Sequence, residues 1–228
     1  MKTEKYSVSG HEIIRISPDE ETDTVCYLTG DTENAEDIFI RSGEIPFILV
    51  CVKTNDWNRE LSPWKAPKVF SSGEDFSGEA AAFLKALEND IIPFCENGKY
   101  SHRIISGYSL AGLFAVWAAW NCRLFDGLVS CSGSMWFDGF TEYIKERAPV
   151  SELSCAYFSL GDKEKKTRNK RMAAVESTTA EVKDELSKYC PDTVFRLVPG
   201  NHFTEPDRRL SDGISHVVSS LSGTSINQ

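Results

Sequence analysis

Gly107-Tyr108-Ser109-Leu110-Ala111-Gly112 decides how this chain is read, because of what stands on either side of it. Residues 102–106, His-Arg-Ile-Ile-Ser, suit a strand, while residues 110–120 are apolar on every side, as a helix buried all round must be. A strand that passes through one tight turn into a buried helix lifts the serine of the turn above the sheet edge. The small residues have a steric reason. A nucleophile on such a turn holds a strained backbone conformation, and bulk at Gly107 or near Ala111 would collide. The pattern is G-x-S-x-A, with Ala111 in place of a second glycine and Gly112 after it. Leu110 opens the helix, so its N–H has no intrahelical partner and the helix dipole favours an anion beside it. Ser109 is therefore the candidate nucleophile, and Leu110 N–H a candidate oxyanion donor.

The same alternation extends in both directions. Upstream, residues 6–8 and 11–16 are β-rich runs around Ser9-Gly10, which suits a hairpin, and residues 24–28 form a third strand candidate. A helical face at Ala35, Ile38 and Phe39 precedes residues 46–52, a continuous apolar run that fits a strand buried on both faces. A long loop over 53–70 follows, then an amphipathic helix marked by Ala80, Phe83, Leu84, Leu87 and Ile91. Downstream come strands at 128–131, 155–160 and 194–198, alternating with helices at 140–147, at Met172 to Leu186 and at Leu210 to Leu221. A hairpin followed by repeated strand–helix units predicts an α/β fold, with a mostly parallel sheet of about eight strands and helices on both faces.

Of the 228 residues, 41% are hydrophobic and 26% charged, the composition of an ordinary globular chain, and no linker divides it; residues 1–228 are expected to form one domain. Lys and Arg total 25 against 34 Asp and Glu, a net charge of −9, which repels phosphate backbones and anionic lipid headgroups. Neither nucleic acid nor membrane is an expected partner, and no apolar run reaches the ~20 residues of a membrane helix. The polar N-terminal stretch lacks the apolar centre of a signal peptide, so the protein reads as cytoplasmic. The seven scattered cysteines read as reduced core residues. No CxxC pair and no histidine pair stands at metal-ligand spacing, so no metal is assigned.

A serine hydroxyl is a weak nucleophile until a base takes its proton. His202, in Pro199-Gly200-Asn201-His202-Phe203 directly after a strand candidate, would open at the same sheet edge as Ser109; His11, His102 and His216 read as structural or solvated. The acid that fixes the histidine tautomer should follow the preceding strand, in Leu160-Gly161-Asp162-Lys163-Glu164. Glu164 has the Gly-x-x-acid spacing and is preferred, with Asp162 the alternative in a charged stretch that runs on through Lys165, Lys166 and Arg168.

The order Ser109, Glu164, His202, together with the segments 107–114, 130–137, 159–164 and 200–203, resembles the α/β-hydrolase esterases of the esterase D type, particularly the branch of the enterobactin and ferric siderophore esterases. The resemblance implies an α/β-hydrolase fold without a lid domain, which the short connections also suit, and hydrolysis of small-molecule esters with no cofactor. It further implies that the loop at Asn58 to Trp64 shapes the cleft and that a second oxyanion N–H comes from Val52 or Lys53; Arg59 in that loop suits either a substrate carboxylate or a structural salt bridge to a nearby acid. Trp136, in a segment similar to Ser-Pro-Ser-Leu-Trp but with Gly133 for proline, would stand at the cleft wall; Trp57 and Trp136 suit either an aromatic pocket or ordinary packing. Trp64, directly after a proline, suits a loop anchor. The reading is a serine hydrolase of carboxylic esters acting through an acyl-enzyme. Its rivals are an acyltransferase, thioesterase or peptidase on the same residues, and a binding protein that kept the fold without turnover.

Overall fold

The computed structural model describes residues 1–31, 33–43, 45–69, 72–96, 98 and 100–223. The chain opens with the hairpin β1 (Lys2–Val8) and β2 (His11–Ser17), turned by Ser9 and Gly10, both at positive φ. β3 (Thr24–Gly30), α1 (Ala35–Arg41) and β4 (Ile48–Lys53) follow. The long loop then contains one short helix, α2 (Trp57–Glu60), and the strand β5 (Lys65–Ala66), which pairs with β6 (Phe76–Ser77) in a two-stranded sheet of its own. Asp56 starts α2 by accepting the Arg59 N–H through its side chain at 3.0 Å.

The amphipathic helix begins as α3 (Ala80–Ala86), widens into a single π turn over Leu87–Ile91 and ends as α4 (Ile92–Cys95). Pro93 has no N–H to offer the preceding turn, and its ring displaces the carbonyl four residues back, so the wide turn lies where the ladder must open. β7 (His102–Tyr108) then turns into α5 (Leu110–Asn121), followed by β8 (Gly127–Cys131), α6 (Phe140–Lys145) and β9 (Cys155–Gly161). The expected long helix is two, α7 (Lys170–Ala173) and α8 (Val175–Leu186), broken at Ala174. β10 (Thr193–Val198) and α9 (Pro206–Leu221) complete the order.

The main sheet has eight strands in the order β1-β2-β4-β3-β7-β8-β9-β10, antiparallel at β1/β2 and β2/β4 and parallel from β4 onward. The central strands are buried on both faces. On β3, Val25 and Tyr27 face one core while Cys26 and Leu28 face the other, and β4 alternates in the same way. One face is covered by α3, α5 and α8, the other by α1 and α9. This is the α/β-hydrolase fold. All seven cysteines are free and buried, and burial pushes the thiols of Cys26, Cys131 and Cys155 up to about 12. Among the described residues, no helix is long and apolar enough to cross a membrane.

Candidate active site

Ser109 stands between β7 and α5 at φ 59° and ψ −122°, a region that costs a non-glycine residue energy. The surroundings enforce it. Ser109 N–H donates to the Cys131 carbonyl at 3.0 Å, and the Ser109 carbonyl accepts from Leu113 at 3.2 Å and Ser134 at 3.0 Å. A Cβ on Gly107 would lie 2.3 Å from the Ala111 carbonyl oxygen, so only glycine lets β7 run this close to the first turn of α5. Leu110, as first residue of α5, has an N–H without an intrahelical partner and lines the same small hollow as Ser109.

The parallel strands bring three side chains to one edge. His202 Nε2 lies 3.0 Å from Ser109 Oγ, and His202 Nδ1 lies 2.8 Å from Glu164 Oε2. Glu164 Oε1 accepts the Ser132 hydroxyl at 2.7 Å, the Gly161 N–H at 2.7 Å and the Arg209 guanidinium at 2.9 Å. Burial alone would push this carboxyl up, but the hydrogen bonds from His202, Ser132 and Gly161 outweigh it and hold the group below the usual carboxylate range. A carboxylate so held keeps the proton of the ring on Nδ1 and leaves Nε2 as an acceptor facing the serine.

Asp162 is placed elsewhere, because its Oδ1 accepts the Gly200 N–H at 2.8 Å and ties the β9 loop to the His202 loop. Of the two acids in that loop, Glu164 alone touches the imidazole. Val52 and Lys53 are also displaced from their expected role. They end β4, which the sheet order separates from β7 by the whole of β3, or about 10 Å at ordinary strand spacing. The strand end beside Ser109 is Gly30, where a Cβ would lie 3.4 Å from that of Ala111. Arg59 turns to the surface, toward Glu60 at 3.7 Å and Glu79 at 3.8 Å, and lines neither of the two hollows beside Ser109.

The larger hollow, about 630 Å3, runs from Ser109 past His202, Trp136 and Met172 to Lys163 and Lys166. The smaller, about 100 Å3, is bounded by Ser109, Leu110, Trp57 and Trp136. Trp136 lines both, and Trp57 lines the smaller one while packing over Gly30. Trp64 is an anchor: its indole N–H donates to the Asp138 carbonyl at 2.9 Å and its ring packs on Phe137 and Tyr143.

Three neighbours of the acid have no counterpart in the sequence reading. Arg209 of α9, with its side chain 4% exposed, donates through Nη1 to Glu164, Ser132 and Tyr108, and through Nη2 to the Asn201 carbonyl at 2.9 Å. Tyr108, whose hydroxyl burial pushes up to about 12, donates to the His202 carbonyl at 2.7 Å. Ser132 takes φ 48° after β8 to reach Glu164. The signal that marks Arg209 in the sequence is its position four residues before Gly213 and eight before Val217, on the row that α9 buries. His11, by contrast, is buried against Glu60 at 3.3 Å. Among the described residues, one group has the size of a metal site: Cys155, Asp192 and His216, whose ligand atoms lie within 4.8 Å of one another. Cys155 is the first residue of β9, so this group is at the opposite sheet edge from Ser109.

No family model matches the chain. An uncharacterized protein of Bacillus subtilis (strain 168), YbbA, is 23% identical over 147 residues, 62% of this chain and 59% of that protein, so the chain spans less than two thirds of the curated relative it matches. Among solved structures, an IroE-like serine hydrolase from Shewanella oneidensis superposes with a TM-score of 0.73 at 18% identity, covering 94% of this chain and 79% of the other. The siderophore hydrolase EstA from Aspergillus nidulans gives 0.71 at 16% identity, over 96% and 94%. The enterobactin esterase FES from Shigella flexneri gives 0.74 at 17% identity, over 97% of this chain and 60% of that one. These likenesses show a shared fold.

Proposed function

We propose that this protein is a serine hydrolase of carboxylic esters, with Ser109 as nucleophile, His202 as general base and acid, and Glu164 as the group that holds His202. The observation that carries the proposal is the unbroken chain Ser109 Oγ, His202 Nε2, His202 Nδ1, Glu164 Oε2, with contacts of 3.0 and 2.8 Å, built on a serine at positive φ. Ser109 Oγ attacks the ester carbonyl carbon as His202 Nε2 takes its proton, and the carbonyl oxygen becomes an oxyanion facing Leu110 N–H. Collapse of that intermediate expels the alcohol, which leaves with the proton from His202. A water molecule, deprotonated by the same nitrogen, then attacks the acyl-enzyme, the acid departs and Ser109 regains its proton. No step needs a cofactor.

The neighbours that are a siderophore hydrolase and an enterobactin esterase put siderophore esters in the first panel of substrates to screen. The test is fluorophosphonate labelling with peptide mapping, run beside Ser109→Ala and hydrolysis of short p-nitrophenyl esters. Label on Ser109 alone, with activity lost in the variant, supports the proposal. A wild-type protein that neither labels nor turns over any ester overturns it in favour of a binding protein.

A further inference from the structure

The strongest charge feature of the molecule lies beside the site. Residues 163–171 read Lys-Glu-Lys-Lys-Thr-Arg-Asn-Lys-Arg, six cations in nine residues of a chain whose net charge is −9. The single acid among them, Glu164, is committed to His202, Ser132 and Arg209. Two of the other cations are also occupied: Lys165 pairs with Glu176 at 2.9 Å and Arg171 with Asp138 at 2.9 Å. Lys163 and Lys166 line the larger hollow and pair with no acid among the described residues. Besides the committed Glu164, no carboxylate among the described residues lines that hollow.

The position of these lysines is fixed relative to the imidazole. Lys163 N–H donates to the Gly200 carbonyl at 2.9 Å, Asp162 N–H to the Val198 carbonyl at 2.8 Å, and Gly200 N–H to Asp162 Oδ1 at 2.8 Å, so the lysine loop and the His202 loop are laced together. Lys166 N–H donates to the Lys163 carbonyl at 3.0 Å, a tight turn that brings the second lysine back to the same wall. The same hollow is lined by the apolar surfaces of Trp136 and Met172 and by Phe203, 85% exposed, whose ring lies 5.3 Å from that of His202.

The two hollows also divide the ester. The departing alcohol must receive its proton from His202, and His202 lines the larger hollow, not the smaller. Leu110, the oxyanion donor of the proposed mechanism, lines the smaller. We infer that Lys163 and Lys166 form a subsite for an anionic group, of the carboxylate class, carried on the alcohol half of the ester, whose apolar body rests against Trp136. The inference rests on the ester-hydrolysis reading above and names the substrate class of that same site. Two unpaired cations on the wall of a concave cleft focus the field on an anion more strongly than the same cations on a flat surface.

The test compares 3-acetoxybenzoate with its neutral amide, 3-acetoxybenzamide, and phenyl hemisuccinate with phenyl pentanoate, so that the anion sits on the alcohol half in one pair and on the acyl half in the other. The expected kcat/KM ratio favours 3-acetoxybenzoate over the amide by about 2- to 30-fold, the range for two exposed ion pairs. That ratio falls to about one in Lys163→Gln/Lys166→Gln and shrinks at about 1 M salt, where charges are screened within about 3 Å. The acyl-side pair shows the smaller preference. Equal rates for the alcohol-side pair, a preference that survives the double variant, or a larger preference on the acyl side each overturn the inference. Calorimetric binding of 3-hydroxybenzoate and 3-hydroxybenzamide to Ser109→Ala reads the subsite without turnover. If the wild type hydrolyses nothing but the lysines still select the carboxylate, the subsite stands and the hydrolase reading fails; no selection in that measurement overturns the subsite.

Discussion

Replacing Glu164 with glutamine changes one oxygen for an NH2 group of nearly the same size, and the structure decides where that group must go. Oε1 faces three donors, from Ser132, Gly161 N–H and Arg209, at 2.7 to 2.9 Å, so an NH2 there would confront all three. The amide carbonyl therefore keeps that position, and the NH2 falls opposite His202 Nδ1, 2.8 Å away. Two donors cannot share that contact. His202 relieves it by moving its proton to Nε2, which then donates to Ser109 Oγ and can no longer receive the hydroxyl proton. A wrong tautomer of this kind lowers kcat about 10,000-fold in a serine protease, or about 5.4 kcal/mol of barrier. The assay is kcat on p-nitrophenyl acetate for Glu164→Gln, with circular dichroism to show the fold is retained. Nitrogen-15 chemical shifts of the His202 ring report the tautomer directly. A variant within about tenfold of wild type, or one whose His202 still carries its proton on Nδ1, refutes the reasoning.

Three further outcomes follow from the same surroundings. Arg209→Met leaves a buried carboxylate without its cation, which costs about 3–5 kcal/mol and lowers Tm by about 6–20 °C for a chain of this length; thermal unfolding measures it, and kcat should fall more than KM rises because Glu164 loosens. The lowered pKa of Glu164 stabilises the folded state fully above the ordinary value of about 4.5, and that contribution disappears as pH falls through the lower folded value. The stability difference between wild type and Glu164→Gln is therefore flat above about pH 5.5 and narrows in acid; urea titrations at several pH values that showed no narrowing would contradict it. Gly107→Ala places a methyl 2.3 Å from the Ala111 carbonyl oxygen, so the turn must open; the expected loss is at least the ~1–3 kcal/mol of overpacking, together with fluorophosphonate labelling of Ser109.

The parts of the molecule legible in sequence were those written in local pattern. An unbroken apolar run marked β4 and the small residues around Ser109 marked the turn, while the Gly-x-x-acid spacing favoured Glu164 but left Asp162 open; in the structure Glu164 touches His202 and Asp162 accepts from Gly200. What local pattern could not carry was the order of strands across the sheet. Chain order makes β4 the strand before the β7 unit, but β3 crosses back to lie between them, so the backbone next to Ser109 is Gly30 rather than Val52 or Lys53. Arg209 escaped for a related reason. A cation in an amphipathic helix reads as solvated unless its row is known to be buried, and its partners lie 45 and 77 residues earlier in the chain, at Glu164 and Ser132.

One hundred residues of chain separate Ser109 from the arginine that steadies its acid. At about 5–20 residues per second of synthesis, the serine is joined to the chain about 5–20 s before that cation. Through that interval the β7–α5 turn can fold, since its bonds to Leu113, Cys131 and Ser134 are all supplied by residue 134. The imidazole and its anchor arrive only with the β10–α9 segment. On the hydrolase reading, a chain made only as far as α5 holds the serine turn without imidazole or cation, and chemistry at Ser109 waits until β10 and α9 have been made.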